Sequence, residues 1–324
     1  MKILVTGAGG FIGGHLVGTL AKQGHQIIAV DKKAMSEWHQ IHTSVNVHSA
    51  VSDMSKEINC LNISKGVDQI YNLSADMGGI GFIENNKAEC MLSVLINTHL
   101  LMAAKENDVK NFLFTSSACV YNGSKQDSAD VTALKESDAY PADAEDGYGW
   151  EKLFSERMCR HFMEDYKIAT HVARYHNVYG PHGTYFGGRE KAPAAIARKI
   201  AEAKLSGKNE IVIWGDGEQT RSFMYVDDCV KATIGLMNSN MHDPVNVGSA
   251  ELVTINQLVD IAEDIAGIKV KRIYDSSAPQ GVRGRNSDNT LFRSVFDWEP
   301  SISLRSGMES TYSWIYNKMK ANAK

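Results

Sequence analysis

Cys60, Cys90, Cys119, Cys159 and Cys229 are the only cysteines in 324 residues. Their number is odd and no CxxC pair occurs. Neither a disulfide framework nor a zinc knuckle therefore organises the chain, and a reducing, cytoplasmic setting is expected. Concentrated positive charge is missing too: the formal net charge is −4, with no basic block. Nucleic acid and anionic membrane surfaces are thus poor partners, and any phosphate must be held by local donors. No stretch approaches the roughly 18 apolar residues of a membrane span. The first twenty residues hold one lysine and then apolar residues, but Gly7, Gly9, Gly10 and Gly13 interrupt the run where a signal peptide needs continuity. Internal repeats and low-complexity linkers are absent. His39 and His42 stand outside every motif, so the reading contains no metal site. At this length the chain can bury a full core and form two lobes.

What is present alternates strand with helix. Lys2-Ile3-Leu4-Val5-Thr6 is a short apolar run ending at glycines, as a buried parallel strand does. From Gly13 to Lys22 the apolar spacing is helical. Ile27–Val30 is a second strand ending at Asp31. Asp68–Leu73 and Phe112–Thr115 continue the series, with a long helical stretch from about Cys90 to Asn107 between them. This order predicts an α/β fold, a doubly wound parallel sheet of Rossmann type. From about Tyr175 shorter elements rich in Gly, His and Tyr begin, which predicts a smaller C-terminal α/β substrate lobe. The expected division is a dinucleotide-binding domain over residues 1–174 and a substrate lobe over 175–324. A segment near 222–247 is expected to return to the first domain.

Gly7-Ala8-Gly9-Gly10-Phe11-Ile12-Gly13 spaces glycines at 7, 10 and 13, as GxxGxxG. Glycine allows the tight turn and lets backbone N–H groups approach a pyrophosphate at a helix N-terminus. Alone the motif is weak, but a strand precedes it, a helix follows, and an acid lies beyond. Phe11 and Ile12 belong to the same turn. Asp31 can accept hydrogen bonds from an adenosine ribose and would repel a 2′-phosphate, which argues for NAD over NADP. Lys32 and Lys33 could hold such a phosphate, although a solvated turn is the preferred reading. Asp53 either touches the adenine or caps a loop. Ser74 and Ala75, at the end of the third apolar strand, complete the cofactor set.

Tyr148 and Lys152 are one helical turn apart and can face one cleft. A free tyrosine, with a pKa of about 10, is a poor base at neutral pH. A nearby ammonium favours the phenolate. Tyr148 could then take the proton of a substrate hydroxyl as hydride leaves the carbon, with Ser117 hydrogen-bonded to the same oxygen. With these residues the chain resembles the extended short-chain dehydrogenase/reductase family over nearly its whole length. TGAGGFIGG, Ser117–Tyr148–Lys152, the stretch Arg174-Tyr175-His176-Asn177-Val178-Tyr179-Gly180-Pro181 and Gly215-Asp216-Gly217-Glu218-Gln219-Thr220-Arg221-Ser222-Phe223 carry the match. Family members act mostly on nucleotide sugars and keep their cofactor through turnover.

Within that family, dehydratases carry Asp-Glu just after the Ser/Thr. Here Ala118-Cys119 stands there instead. By itself Cys119 could be a small buried apolar residue, but its position at the catalytic strand end favours a functional thiol. Lys191, in Gly187-Gly188-Arg189-Glu190-Lys191-Ala192-Pro193, reads alone as a surface charge. Longer strings change both readings. Ala75-Asp76-Met77-Gly78-Gly79-Ile80-Gly81-Phe82, Ser116-Ser117-Ala118-Cys119, the Lys191 segment and Gly281-Val282-Arg283-Gly284-Arg285-Asn286-Ser287-Asp288-Asn289 resemble the GDP-mannose 3,5-epimerase subgroup. That resemblance implies Cys119 and Lys191 as a base/acid pair, NAD as cofactor and a GDP-sugar as substrate. It also implies sugar contacts at Gly78, Gly79, Glu190 and Ala192. Nucleotide contacts are expected from Arg221, Arg283 and Arg285, whose guanidinium groups suit a diphosphate, with Asn177, Lys199, Gln219 and Thr220 beside them. A related epimerase on another nucleotide sugar, a GDP-heptose for example, and a non-catalytic NAD-sensing protein are the alternatives. Fold-level analogy makes a homodimer the expected assembly, with stretches near 90–107 and 149–166 as pairing helices.

Overall fold

The computed structural model describes residues 1–322; the last two positions of the expected second lobe, 323 and 324, lie outside the described residues. The apolar run at the N-terminus forms β1 (Lys2–Thr6), and α1 (Phe11–Lys22) follows the glycines. Next come β2 (Gln26–Asp31), β3 (Val47–Val51), α2 (Glu57–Ile63) and β4 (Gln69–Asn72). Three helices follow: α3 (Ile80–Asn85), α4 (Lys87–Met91) and α5 (Val94–Glu106). The single helix expected near 90–107 is thus two. The ladder is interrupted at Leu92-Ser93, where the Ser93 hydroxyl accepts a hydrogen bond from Asp76 N at 2.9 Å. Then β5 (Asn111–Ser117), α6 (Asp146–Tyr166) and β6 (Ala169–Tyr175) complete the first half.

Beyond Tyr175 the elements shorten. They are β7 (Val178–Tyr179), α7 (Ala192–Ser206), β8 (Glu210–Trp214), β9 (Thr220–Ser222) and β10 (Met224–Tyr225). After them run α8 (Val226–Met237), β11 (Val245–Val247), β12 (Leu252–Thr254) and α9 (Ile255–Ala266). The chain closes with β13 (Lys271–Asp275), β14 (Gly284–Arg285), α10 (Thr290–Phe296) and α11 (Leu304–Asn322).

Seven strands make the main sheet in the order β11-β6-β5-β4-β1-β2-β3, and every neighbouring pair is parallel. Parallel strands need crossovers, so helices cover both faces and the strands read as continuous apolar runs. The order reverses between β1 and β4, and such a switch point opens a crevice at the strands' C-terminal ends. Thr6, Asp31, Asn72 and Ser117 are the last residues of four of these strands. Three small sheets hold the remaining strands: β10-β7, β12-β9-β14 and β13-β8. Among them β14 matters most for the site, because Arg285 is paired there with Arg221 of β9.

Candidate active site

The glycine turn leaves the start of α1 open. Gly10 is its N-cap and no side chain bonds into its first turn, so backbone N–H groups remain for an anion. Gly7 holds φ +71°, and a Cβ at Gly13 would sit 2.1 Å from Gly7 O. No other residue type permits that approach. Asp31 is buried, with its two carboxylate oxygens accepting from Gly9 N at 3.1 Å and Lys33 N at 3.0 Å. Lys33 Nζ donates to Gly9 O and Lys32 Nζ to Asp76, so both ammonium groups already have protein partners. Asp53 accepts from Ser55 N at 2.9 Å and also borders the cleft, so its loop-capping role coexists with an exposed edge. The cleft measures about 720 Å3. Gly7, Gly10, Phe11, Ile12, Gly13, Asp31, Asp53, Ser74 and Ala75 all line it. Open backbone donors at one point and a fixed carboxylate at another suit the pyrophosphate and ribose of a dinucleotide. His39 borders the cleft as well, while His42 bonds Gly14 O at 2.8 Å. Among the described residues no three His, Cys, Asp or Glu side chains gather where a metal could sit.

Ser117, Tyr148 and Lys152 line the same cleft. Tyr148 and Lys152 project from the N-terminal half of α6, and both are buried. Lys152 Nζ lies 5.6 Å from the Tyr148 ring centroid and 4.6 Å from that of Phe114. Its ionic partner is Glu151 Oε2 at 3.6 Å. That oxygen is buried without a hydrogen-bond donor, while the other accepts from Ser155. Burial pushes the Tyr148 phenol well above its ordinary range; Cys119 and Glu151 push it further, and Ser117 opposes them. The sequence suggested positive charge acting on Tyr148, from the lysine and from an oxidised nicotinamide. The structure adds a carboxylate that counters it.

Cys119 sits in the single turn Ala118–Val120 directly after β5, where its N–H donates to Ser117 Oγ at 3.2 Å. It is buried against Tyr148 and Cys90 and does not border the main cleft. Lys191 is the N-cap of α7 and does border it. Burial raises the Cys119 thiol; Glu145 raises it further, and Arg285, Lys191 and Ser117 pull it down. Burial lowers the Lys191 ammonium, against the pull of Cys119 and with the push of Arg285. Burial thus opposes ionisation of both groups, the thiolate and the ammonium alike.

The residues expected to hold the nucleotide are more scattered. Gly78 and Asn177 border the cleft with Lys191; Gly79, Glu190, Ala192, Lys199, Gln219, Thr220, Arg221, Arg283 and Arg285 do not. Arg221 donates to the carbonyls of Thr220, Gln280 and Val282. Arg283 forms a two-pronged pair with Asp216, at 2.8 and 3.0 Å. Lys199 Nζ donates to Val212 O, Thr220 Oγ1 to Ala129 O, and Gln219 Nε2 to Trp214 O. Glu190 accepts from Gly188 N, and Gly79 N donates to Arg189 O. Arg285 is the surprise. It is buried against Cys119 and Glu145 instead of standing free for phosphate. Sequence reasoning missed Glu145 and Glu151. For Glu151 a signal existed, an acid directly before the lysine of YxxxK. For Glu145 none did.

A family model described as the NAD dependent epimerase/dehydratase family matches residues 3–248. A GDP-mannose 3,5-epimerase 1 of Oryza sativa subsp. japonica is 44% identical over 324 residues, covering 99% of this chain and 83% of that protein. A GDP-mannose 3,5-epimerase of Arabidopsis thaliana is 41% identical with the same two coverages. The structure of a UDP-glucose 4-epimerase from Thermotoga maritima superposes with a TM-score of 0.88 at 25% identity, covering 98% of this chain and all of that one. The description of the matching family names NAD as the cofactor. The chain is a member of the NAD dependent epimerase/dehydratase family.

Proposed function

We propose that the protein inverts carbons 3 and 5 of GDP-mannose to give GDP-L-galactose, with GDP-L-gulose formed when carbon 5 alone is inverted. The observation that carries this reading is that Cys119 packs against Tyr148 and bonds Ser117 Oγ through its N–H, while Lys191 borders the same cleft as those two residues. Its support is the 41–44% identity to proteins of that name. Gly7, Gly10, Gly13 and Asp31 would hold NAD, which supplies a reversible acceptor for the hydride of carbon 4.

Tyr148 takes the proton of the carbon-4 hydroxyl, and Ser117 hydrogen-bonds that oxygen. Once carbon 4 is a ketone, the hydrogens on carbons 3 and 5 lie alpha to a carbonyl and become acidic. Cys119 removes one of them, and the electron pair left behind is delocalised onto the carbon-4 oxygen as an enolate. Lys191 returns a proton to the carbon from the other face, which inverts it. The same exchange inverts the second carbon once solvent has taken the proton from Cys119 and restored that of Lys191. Tyr148 then gives its proton back to the carbon-4 oxygen as the hydride held by the dinucleotide would return to carbon 4, and the net reaction is an isomerisation.

The same reading assigns residues 1–174 to the cofactor and those from 175 onward to the nucleotide sugar, with 222–247 returning to the first domain. Parallel pairing of β11 with β6 supports that return. A homodimer through α4, α5 and α6 is part of the proposal. Met91, Leu92, Leu95, Trp150 and Phe154 are exposed along those helices, an apolar patch of the kind that marks an interface. A cytoplasmic location suits five free, buried cysteines; no helix of the described residues is long and apolar enough to cross a membrane.

The test is purified protein with GDP-mannose in deuterated water, read by proton NMR and mass spectrometry. Deuterium at carbons 3 and 5, with both products, supports the proposal. Silence, repeated with added NAD, rejects GDP-mannose as the substrate.

A further inference from the structure

The sulfur of Cys119 has two charged neighbours that the reaction above leaves without a role. Arg285 spreads its guanidinium over three partners. Nη1 lies 3.6 Å from Cys119 Sγ, Nη2 donates to Glu145 Oε2 at 2.8 Å, and Nε donates to Gln126 Oε1 at 2.6 Å. Gln126 is fully buried, and its amide nitrogen reaches the carbonyls of Tyr121 and Asn122. The Glu145 N–H donates to Cys119 O at 2.8 Å, which ties the carboxylate's own backbone to the cysteine.

Sequence distance makes this closure notable, since Arg285 is 166 residues from Cys119. Strand β14 is stitched to the segment beyond Cys119: Arg283 N and Gly284 N both donate to Gln126 O, at 2.9 and 3.1 Å. A Cβ at Gly284 would stand 2.1 Å from Ser128 O, so glycine there is what lets Arg285 come in. With its fork committed inside the protein, Arg285 cannot reach a diphosphate without abandoning the sulfur.

We propose that Glu145 and Arg285 are a positioning pair that fixes the Cys119 sulfur and balances its charge between thiol and thiolate. This rests on the reading of Cys119 as the proton-abstracting group. A lone guanidinium beside the sulfur would favour thiolate at every working pH, but a strongly stabilised thiolate is a weak base. A lone carboxylate would keep the proton on sulfur. Together they hold the group between those limits. Ser117, Tyr148, Lys191 and Arg221 are the other polar groups that face this cluster. Burial pushes the Glu145 carboxyl up, but the charge and hydrogen bond of Arg285, joined by the Cys119 hydrogen bond, hold it at about 2. Glu145 therefore stays anionic while Cys119 titrates.

The two variants must move the thiol in opposite directions, which a merely structural role would not do. The experiment titrates the Cys119 thiolate by its ultraviolet absorbance, taken as the difference from Cys119→Ala in the same background, on the full-length wild type, Glu145→Gln, Arg285→Gln and Arg285→Lys. Circular dichroism establishes folding. Glu145→Gln should lower the midpoint by about one pH unit and Arg285→Gln should raise it by about one, while Arg285→Lys stays near wild type. Midpoints that move together, or stay put in folded variants, overturn the proposal. Should Arg285→Gln not fold, Glu145→Gln decides alone: a lower midpoint supports the pair, an unmoved or higher one refutes it. No sugar enters this assay, so a failure of the GDP-mannose reading appears only in the deuterium experiment.

Discussion

On the proposed reading, the groups that move hydride and the groups that move protons are built in opposite ways. Tyr148 and Lys152 come from one helix, four residues apart, and their geometry is local. Cys119 is served by Lys191 from the start of α7, Glu145 just before α6 and Arg285 from β14. Each side nevertheless contains a buried carboxylate beside a cation. Glu151 stands 3.6 Å from Lys152 with one oxygen unpartnered, whereas Glu145 makes a 2.8 Å bond to Arg285. An ion pair with a loose oxygen leaves its lysine free to turn toward a ligand; a tight one is built to stay. The difference suggests that Lys152 must serve a guest, the cofactor, while Arg285 serves a residue of the protein itself.

The comparison breaks most sharply at Tyr148. In Tyr148→Phe, turnover and deuterium uptake should both fall by about 100- to 10,000-fold, as for loss of a general base; proton NMR reads both. Cys119→Ala separates the two sides. Deuterium uptake should fall by a similar factor while carbon-4 oxidation persists, seen as reduced nicotinamide absorbance on adding sugar. Loss of both signals in that variant would mean that the two sides are one unit.

A smaller effect concerns stability in acid. The Glu145 carboxyl is held at about 2, below its ordinary 4.5. On acidification the unfolded chain takes up its proton first, so the stabilisation is complete above about pH 4.5 and vanishes as pH falls toward 2. The difference is about 3 kcal/mol. Chemical unfolding of Glu145→Gln should accordingly lack that much of the acid-dependent loss. Glu151→Gln removes one of the charges that raise Tyr148, so the acid limb of the pH–rate profile should move down by about one unit. A limb that moves up would reverse the role given to Glu151. The mildest change is expected of Asp31→Asn, which should weaken discrimination between NAD and NADP by roughly tenfold in binding. Titration calorimetry with both dinucleotides reads it.

Much of the first domain was legible before any coordinates. Lys2–Thr6, Ile27–Val30 and Phe112–Thr115 read as apolar runs because both faces of a parallel sheet are covered. Glycine spacing at 7, 10 and 13 is readable for a similar reason: only one residue type meets the steric demand, a Cβ at Gly13 being 2.1 Å from Gly7 O. The break at Leu92-Ser93 was not legible, since it depends on a hydrogen bond from Asp76, far along the chain. Arg285 shows the same limit more clearly. Its string resembled a nucleotide-binding segment, and nothing in its neighbours along the chain names Cys119 as its partner.

The sequence by itself determined the parallel sheet, the dinucleotide turn, the carboxylate at Asp31 and the spacing of Tyr148 and Lys152. Each of these is encoded by residues close in the chain, through a helical turn, a continuous apolar run or a required glycine. Tertiary packing alone brings Glu145 and Arg285 against Cys119. Charges act through space, and a buried ion feels its neighbours strongly because little water remains to screen them. Which neighbours those are is settled by where β14 and α6 dock, and no short stretch of sequence carries that information.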